Sequence, residues 1–207
     1  MASQTRGGTR WKRFAVVMVP SVAATAAIGV AMSQGALAAS FSVSGQQAKV
    51  TAGKLDGQGF VQYGSYEKKV DGKNVPVAVL GFKNAKINNL CQSVVTPDVP
   101  LIGTVSLKLT AGTKAGKPVE GKNLYIDTAE ADADATFTNI NIGVAAGSSS
   151  KGPGISPGDH TSKGSFAQEA DRAVFSGAKQ KIWATTAGTF KLSNLSVRLH
   201  KGDNECY

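Results

Sequence analysis

Residues 135–144, ATFTNINIGV, mix apolar side chains with Thr and Asn in a β-branched segment that ends in Gly-Val. This composition is typical of a β-strand. Two other segments repeat it, GFKNAKINNL at residues 81–90 and GTFKLSNLSVRL at residues 188–199. The phenylalanines that lead the three segments, at positions 82, 137 and 190, are 55 and 53 residues apart. The sequence therefore predicts an aromatic-led, Asn-containing strand that recurs at nearly constant spacing.

Short alternating segments separated by glycines fill most of the remaining chain, and they also read as strands. Only residues 165–175, SFAQEADRAVF, favour a helix. Residues 146–164 are rich in Gly, Ser and Pro, which predicts a flexible, exposed loop. Many short strands with hardly any helix indicate an all-β fold, arranged as a sandwich, a barrel or an open groove. We expect one such domain at residues 39–207.

The first 38 residues have the features of an export signal. Basic residues precede a predominantly apolar run at residues 14–32, and the small-x-small pattern Ala36-Leu37-Ala38 follows. We expect cleavage after Ala38 by the general secretory route, giving a secreted or cell-envelope protein. The apolar run is nearly long enough to span a bilayer, so an uncleaved N-terminal anchor helix that contacts the membrane through residues 14–32 is the alternative.

Part of the net positive charge of the chain comes from the basic residues of the predicted export signal. The whole sequence has 23 basic and 14 acidic side chains, and removal of residues 1–38 leaves 19 basic against 14 acidic, net +5. Such a balance suits an anionic wall or lipid surface, and it equally suits ordinary solubility. The lysines are scattered rather than interleaved with aromatic residues, which argues against a nucleic-acid partner.

Two cysteines, Cys91 and Cys206, lie in the predicted exported part. An even count in an oxidising compartment favours a disulfide. Two free thiols or a metal pair are the alternatives, and neither histidine lies near a cysteine in sequence. We expect no cofactor, and the oligomeric state is left open.

One motif has the residue types of a serine hydrolase. Residues 154–158, GISPG, fit the G-x-S-x-G pattern, with Asp159 and His160 directly after it. Ser156 would be the nucleophile, with His160 or His200 as its base. Against this, Pro157 lacks the backbone N–H that normally helps to bind the oxyanion, and a Gly/Pro loop replaces the usual strand and helix. A turn serine and structural histidines are the competing interpretation.

A row of carboxylates is a weak calcium candidate. In an extended chain Glu130, Asp132 and Asp134 project from one face and the intervening alanines from the other. A solvated acidic face, or pairing with Lys179 and Lys181, is the alternative.

The repeated segments each supply a stripe of apolar side chains. Such stripes form the core of a domain, or they line a channel for an acyl chain or sterol if the strands form an open groove. The residues that we predict for an apolar ligand surface are Phe82, Ile87, Phe137, Ile140, Ile142, Phe190 and Leu195.

Several segments together resemble a family of small exported actinobacterial proteins. They are the N-terminal segment RWKRFAVVMVPSVAATAAIGVAMSQGALAASF, KLDGQGFVQYGSYE at residues 54–67, KINNLCQSV around Cys91, and ATFTNINIG. The family is largely of unknown function, and some members are labelled cholesterol esterase. The N-x-x-I pattern and AKVTAGKL are also similar to β-groove lipid carriers of cell envelopes, a likeness of fold alone.

Three functions follow as hypotheses. The first is a non-enzymatic cell-envelope protein that binds a lipid or sterol-like apolar molecule through its β surface. The second is a sterol-ester hydrolase, a serine carboxylic-ester hydrolase that acts on cholesteryl esters through Ser156. The third is a structural wall or spore protein without a ligand.

Overall fold

The computed structural model describes residues 45–207, and the predicted N-terminal signal or anchor helix lies outside them. The described chain is all-β, with eight antiparallel strands in one sheet and a single 3-10 turn at Ala146–Ser148. No helix within it is long and apolar enough to cross a membrane. The strands are β1 (Ala48–Lys68), β2 (Asn74–Asn88), β3 (Leu90–Val99), β4 (Gly103–Ala111), β5 (Val119–Thr138), β6 (Asn141–Ala145), β7 (Phe166–Lys191) and β8 (Ser196–Lys201).

The sheet closes on itself through its longest strand. Its order is β6-β7-β5-β2-β1-β3-β4-β8, and β7 also pairs with β1. The residues around Phe175 of β7 therefore lie between two strands, with Leu55 of β1 on one side and Ala135 of β5 on the other. Strands β1, β2, β5 and β7 consequently form a closed ring, and β3, β4 and β8 extend the sheet beyond it as a wing.

The interior of the ring is an aromatic core. Phe60 and Phe82 are fully buried, and their ring centroids are 5.4 Å apart. Phe175 packs edge-on to Phe82 at 6.2 Å. A Cβ at Gly57 would lie 2.2 Å from the Phe82 ring, so only glycine fits beside it. Small residues on β7, including Ala170, let the strands close around these rings.

The predicted loop at residues 146–164 packs against the outer face of the ring. Ala146 and Ser156 are buried, and a Cβ at Gly152 would collide with Val61 of β1. The buried carboxylate of Glu169 on β7 holds the loop by accepting hydrogen bonds from the backbone N–H groups of residues 150 and 151, at 2.7 and 2.9 Å. This segment thus forms a cover for part of the sheet.

The recurring sequence motif is a strand followed by an asparagine corner. Asn89, Asn139 and Asn194 have φ values of 52°, 52° and 55°, in the left-handed region that Asn tolerates. Each lies between two strands, as β2 ends at Asn88 and β3 begins at Leu90. The predicted strand at residues 135–144 is therefore two strands, because Asn139 turns the chain between β5 and β6.

The helix predicted at residues 165–175 is wrong, because this segment begins β7. Its buried alanines at positions 167, 170 and 173 have a helix-like spacing. The register of β1 and β7 is constant here, but Gly59, with a φ of 64°, has no partner between the pairs Phe60–Ala170 and Gln58–Arg172, and Ala170 and Ala173 both contact the interior core. A local irregularity in two paired strands thus imitates helical periodicity.

The C-terminal tail covers one face of the wing. Cys206 forms a disulfide with Cys91 of β3, as predicted, with Cα atoms 6.0 Å apart. The backbone N–H groups of Asn204 and Cys206 donate to the hydroxyls of Ser106 and Ser93, at 3.1 and 2.9 Å. Both serines are fully buried, so the tail forms a layer over this face of β3 and β4.

Loss of the disulfide should destabilise the fold strongly, because the bridge spans 115 residues and fixes the tail. The chain-entropy relation gives about 4–5 kcal/mol for loops of this size. We expect Cys91→Ser with Cys206→Ser to lower the free energy of unfolding in urea by about 3–5 kcal/mol. Wild type unfolded with a reductant present should match the variant, and a loss below about 1 kcal/mol in both would contradict the prediction.

Candidate functional site

The other face of the wing is apolar and open. Opposed residues of antiparallel strands share a face, and Leu107 pairs with Leu199 while Leu109 pairs with Val197. Val94 of β3 lies opposite Leu107 on the same face. Leu107, Val197 and Leu199 are 42%, 53% and 68% exposed. These five side chains form a continuous surface that we name the apolar face.

The apolar face leads into the interior of the ring. Val50 of β1 pairs with Gln92 of β3, which lies opposite Leu109. Val50 and Gln92 border a cavity of about 30 Å³ at this end of the ring, with Phe190 at its margin. That volume holds one or two waters, so a longer molecule would lie along the face with only its tip inserted. The lining residues are Val50, Ala52, Leu55, Ile87, Leu90, Gln92, Leu124, Ile126, Ala178, Gln180, Ile182, Thr185 and Phe190.

A second cavity, of about 300 Å³, opens beyond the last β2–β5 pair, Ala78–Thr128. Alanines from the end of β5 form one wall of this cavity, and Gln180 lines both cavities. The lining residues are Gln62, Ala78, Leu80, Thr128, Ala129, Ala131, Ala133, Ala135, Phe175 and Gln180.

The predicted apolar ligand residues do not form one surface. Phe82 and Ile87 are buried inside the ring, and Phe137 and Ile140 are partly buried against the same core. Ile142, on β6, is 66% exposed. The last two lie near the apolar face. Phe190 borders the small cavity, and Leu195 is an exposed residue two positions before Val197.

A cluster of acidic and tyrosine side chains lies under the loop on the outer face of the ring. Tyr63 and Asp127 both pair with Val79, so β1, β2 and β5 place them in one row. The Tyr63 hydroxyl donates to Asp159 of the loop at 2.6 Å and accepts from the backbone N–H of Ser156 at 2.7 Å. We name Tyr63, Glu67, Tyr125, Asp127 and Asp159 the acid–tyrosine cluster.

Burial raises the pKa of each carboxyl group in this cluster. Desolvation, helped by the negative charges of Glu67 and Asp159, raises the pKa of Asp127 to about 7. Desolvation also raises the pKa of Glu67 and that of Asp159, although hydrogen bonds from Tyr63 and Ser156 oppose it at Asp159. Asp127 Oδ1 has no hydrogen-bond partner in the structure of residues 45–207. Below about pH 7 Asp127 therefore holds a proton.

The candidate hydrolase residues are only partly brought together. Ser156 is buried, and its side chain hydrogen-bonds to Asp159 rather than to a histidine. His160 stacks on Tyr66 with ring centroids 4.5 Å apart. His200 lies on β8, opposite Ser106 of the wing. Among the described residues no hydrogen bond joins Ser156 to either histidine, so the serine has no base in place.

The acidic row on β5 lies outside the ring. Glu130 forms a salt bridge with Lys181 at 2.8 Å, as one of the alternatives predicted, and Asp132 lies opposite Lys179 in the register. The register shifts between Asp132 and Asp134, which breaks the even spacing that a carboxylate cage would need. No group of three Asp, Glu, His or Cys side chains in residues 45–207 is arranged to hold a metal ion.

Comparison with known proteins identifies a family. Residues 44–207 match a family of unknown function, DUF6230. The chain belongs to that family. Neither a search of curated proteins nor a search of solved structures gave a match. The predicted membership of a family of unknown function is thus confirmed at this level, and family membership brings no activity, source or ligand with it.

Sequence reasoning missed several residues of both regions. The alternation of VSLKL at residues 105–109 predicts a strand with Leu107 on its apolar face. It does not show whether that face is buried or exposed to solvent. Asp127 and Gln180 lie within strand-forming segments, where nothing local marks them as buried. Their burial depends on pairing between strands far apart in sequence.

Protonation of Asp127 should make stability depend on pH. Between about pH 4 and pH 7 the unfolded chain ionises this carboxyl while the folded chain keeps it protonated, so the free energy of unfolding falls as pH rises. The shift from 3.8 to about 7 corresponds to roughly 4 kcal/mol at most. We expect Asp127→Asn to lose less stability than wild type between pH 4.5 and 7.5 in urea titrations.

Asp132→Asn, at an exposed position of the same strand, is the matched control and should follow wild type. Identical pH profiles for Asp127→Asn and wild type would show that the carboxyl is ionised in the folded protein.

Proposed function

We propose that this protein is non-catalytic and binds the apolar chain of a lipid along the apolar face, as a protein of the exported cell envelope. The observation that supports this most directly is the continuity of the face with the cavity between Val50, Gln92 and Phe190. Exposed apolar surface of this kind marks an interaction site, because water contact with it is unfavourable.

The shape of the site favours a narrow chain over a globular partner. The face ends in a depression lined mainly by aliphatic side chains, with Phe190 at its margin. A cavity of about 30 Å³ accepts the tip of an alkyl chain and no larger group. A flat protein interface would gain nothing from such a depression, whereas an inserted methyl terminus would fill it.

The charge at the outer end of the face suits a polar headgroup. Lys201 pairs with Val105 at the end of the row that contains Leu199, so its side chain projects from the same face as the apolar side chains. The long stem of a lysine packs on apolar surface while its charge stays in water. A chain inserted from the Phe190 end would leave its headgroup near this cation.

Charged substitutions on the apolar face should weaken chain binding. Burial of a leucine or valine side chain is worth about 1.5–3 kcal/mol, which is about 10- to 100-fold in affinity. We expect Val197→Lys and Leu199→Lys each to weaken binding of a dansyl-labelled undecanoate at least 10-fold, measured by fluorescence titration of protein produced from the full-length chain.

Val70→Lys, at an exposed valine beyond β1, should bind as wild type does. Wild-type protein that binds no probe would contradict the proposal and leave the structural wall or spore role. If instead size-exclusion chromatography shows a dimer that Leu199→Lys dissociates, the face joins two copies and the proposal is wrong.

The sterol-ester hydrolase remains the alternative that the resemblance implies. Its support is the proximity of Ser156, Asp159 and Tyr63 under the loop. Because Pro157 has no N–H and no hydrogen bond joins Ser156 to a histidine in residues 45–207, we expect no cholesteryl-ester hydrolysis above a mock preparation. Hydrolysis that Ser156→Ala removes would establish the hydrolase and overturn the non-catalytic proposal.

A further inference from the structure

The polar face of the wing has an open cleft beside the C-terminal tail. Its volume is about 360 Å³, within the range of about 300–1,000 Å³ that is common for small-molecule sites. Every side chain that lines it can donate a hydrogen bond, and no carboxylate lines it in the described part of the chain. The lining residues are Lys108, Thr110, Ser196, Arg198, His200 and Asn204.

The register of β4 and β8 arranges these donors in a row. Lys108 pairs with Arg198, so two cations lie directly opposite each other at the centre. His200 follows two residues along β8 on one side, and the Thr110–Ser196 pair lies two residues away on the other. Alternate residues of a strand project from one face, and the Lys108 ammonium donates to a tail carbonyl at 2.9 Å, so the row lies on the tail side. The cleft therefore has a cationic centre between an imidazole and two hydroxyls.

The central pair of cations is unfavourable without an anion. Like charges directly opposite each other on neighbouring strands repel and destabilise a sheet. Arg198 forms no salt bridge or side-chain hydrogen bond within residues 45–207, and Lys108 donates only to neutral oxygens of the tail, the side-chain oxygen of Asn204 and the backbone carbonyl of Glu205. The Glu205 carboxylate pairs with Lys49 instead. An anion between Lys108 and Arg198 would replace their repulsion by attraction.

The chemistry of the lining favours a phosphate monoester. Such a group carries a charge of about −1.5 to −2 at neutral pH, which matches the two cations. The Arg198 guanidinium is a planar fork that binds two phosphate oxygens at once, and the Lys108 ammonium acts beside it as a point charge. The hydroxyls of Thr110 and Ser196 have no side-chain hydrogen bond in the structure of residues 45–207, so they are available to the hydroxyl groups of an esterified alcohol.

We infer that this cleft binds a soluble phosphate monoester of a small polyol, with the phosphate between Lys108 and Arg198 and the polyol over Thr110 and Ser196. His200 supplies a further N–H donor to the phosphate. The tail partly covers Lys108, so a free molecule enters the cleft more readily than a headgroup fixed in a bilayer. The cleft and the apolar face lie on opposite faces of β4 and β8, and the inference is therefore independent of the proposed lipid function.

The test is an NMR titration of ¹⁵N-labelled protein produced from the full-length chain, with glycerol 1-phosphate as the probe and sodium chloride keeping the ionic strength constant. Charge-assisted hydrogen bonds from two cations predict a dissociation constant of about 1 mM or lower. We expect Arg198→Gln to weaken binding about 10-fold or more, and Arg198→Lys to weaken it only about threefold. Because Arg198→Gln removes the repulsion with Lys108, it should also raise the melting temperature of the protein without ligand.

Ser196→Ala tests the polyol part of the ligand. Wild type should bind glycerol 1-phosphate about threefold more tightly than inorganic phosphate, because the ester adds hydrogen bonds to the hydroxyls, and Ser196→Ala should bring this ratio close to one. Lys122→Gln, which removes one cation at an exposed position of β5, is the matched control and should bind as wild type does.

Three outcomes would overturn the inference. The first is no binding of glycerol 1-phosphate by wild type, or no preference for it over inorganic phosphate. The second is equal weakening by Arg198→Gln and Lys122→Gln, which would show attraction to the net charge alone. The third concerns vesicles that contain phosphatidic acid, which present the same group on a lipid. Protein that sediments with these vesicles through Arg198 but does not bind glycerol 1-phosphate would assign the cleft to a lipid headgroup.

Discussion

The pairing of β7 with two strands at once is the constraint on which the rest of the structure depends. Because β1 and β5 occupy both edges of its central segment, the sheet closes into a ring and buries the inward side chains of its core. The interior then has to be filled by a few rings, among them Phe60 and Phe82, against glycine and alanine. A closed ring this narrow tolerates little change in volume, since close-packed interiors respond to single methyl groups.

The space that closure leaves unfilled lies where the strands differ in length. β5 continues ten residues past its last pair with β2 at Thr128, so the interior opens there beside the alanines of the acidic row. On the outer side, Glu130 is held by Lys181, and the carboxylates keep that surface in water. The alternation of alanine and acid therefore separates two faces of β5. The small alanines leave space on the inner face, and the carboxylates keep the outer face in contact with water.

The all-β class was predictable because short strand-like segments can be recognised from local composition. The Cys91–Cys206 disulfide was predictable because two cysteines allow only one pairing within the chain. The recurring motif was visible in the sequence, but its asparagines lie at turns between strands. A side-chain pattern alone does not distinguish a residue within a strand from one at positive φ, such as Asn139. The helix-like spacing of residues 165–175 misled for the same reason, since it depends on the unpaired position at Gly59, on a strand over 100 residues away. Residues such as Asp127 and Gln180 become special only through long-range pairing, which no local pattern encodes.

The contrast between the two faces of the wing is the strongest argument that the apolar face has a partner. The C-terminal tail covers only one side of β3 and β4. That side is the polar one, where the hydroxyls of Ser93 and Ser106 accept hydrogen bonds from the tail backbone. If stability alone determined the arrangement, the tail would lie over Leu107 and Leu199, because burial of those side chains gains more free energy than burial of two serines. The disulfide fixes the tail on the polar side, and among residues 45–207 the side chains of Leu107, Val197 and Leu199 stay exposed on the other.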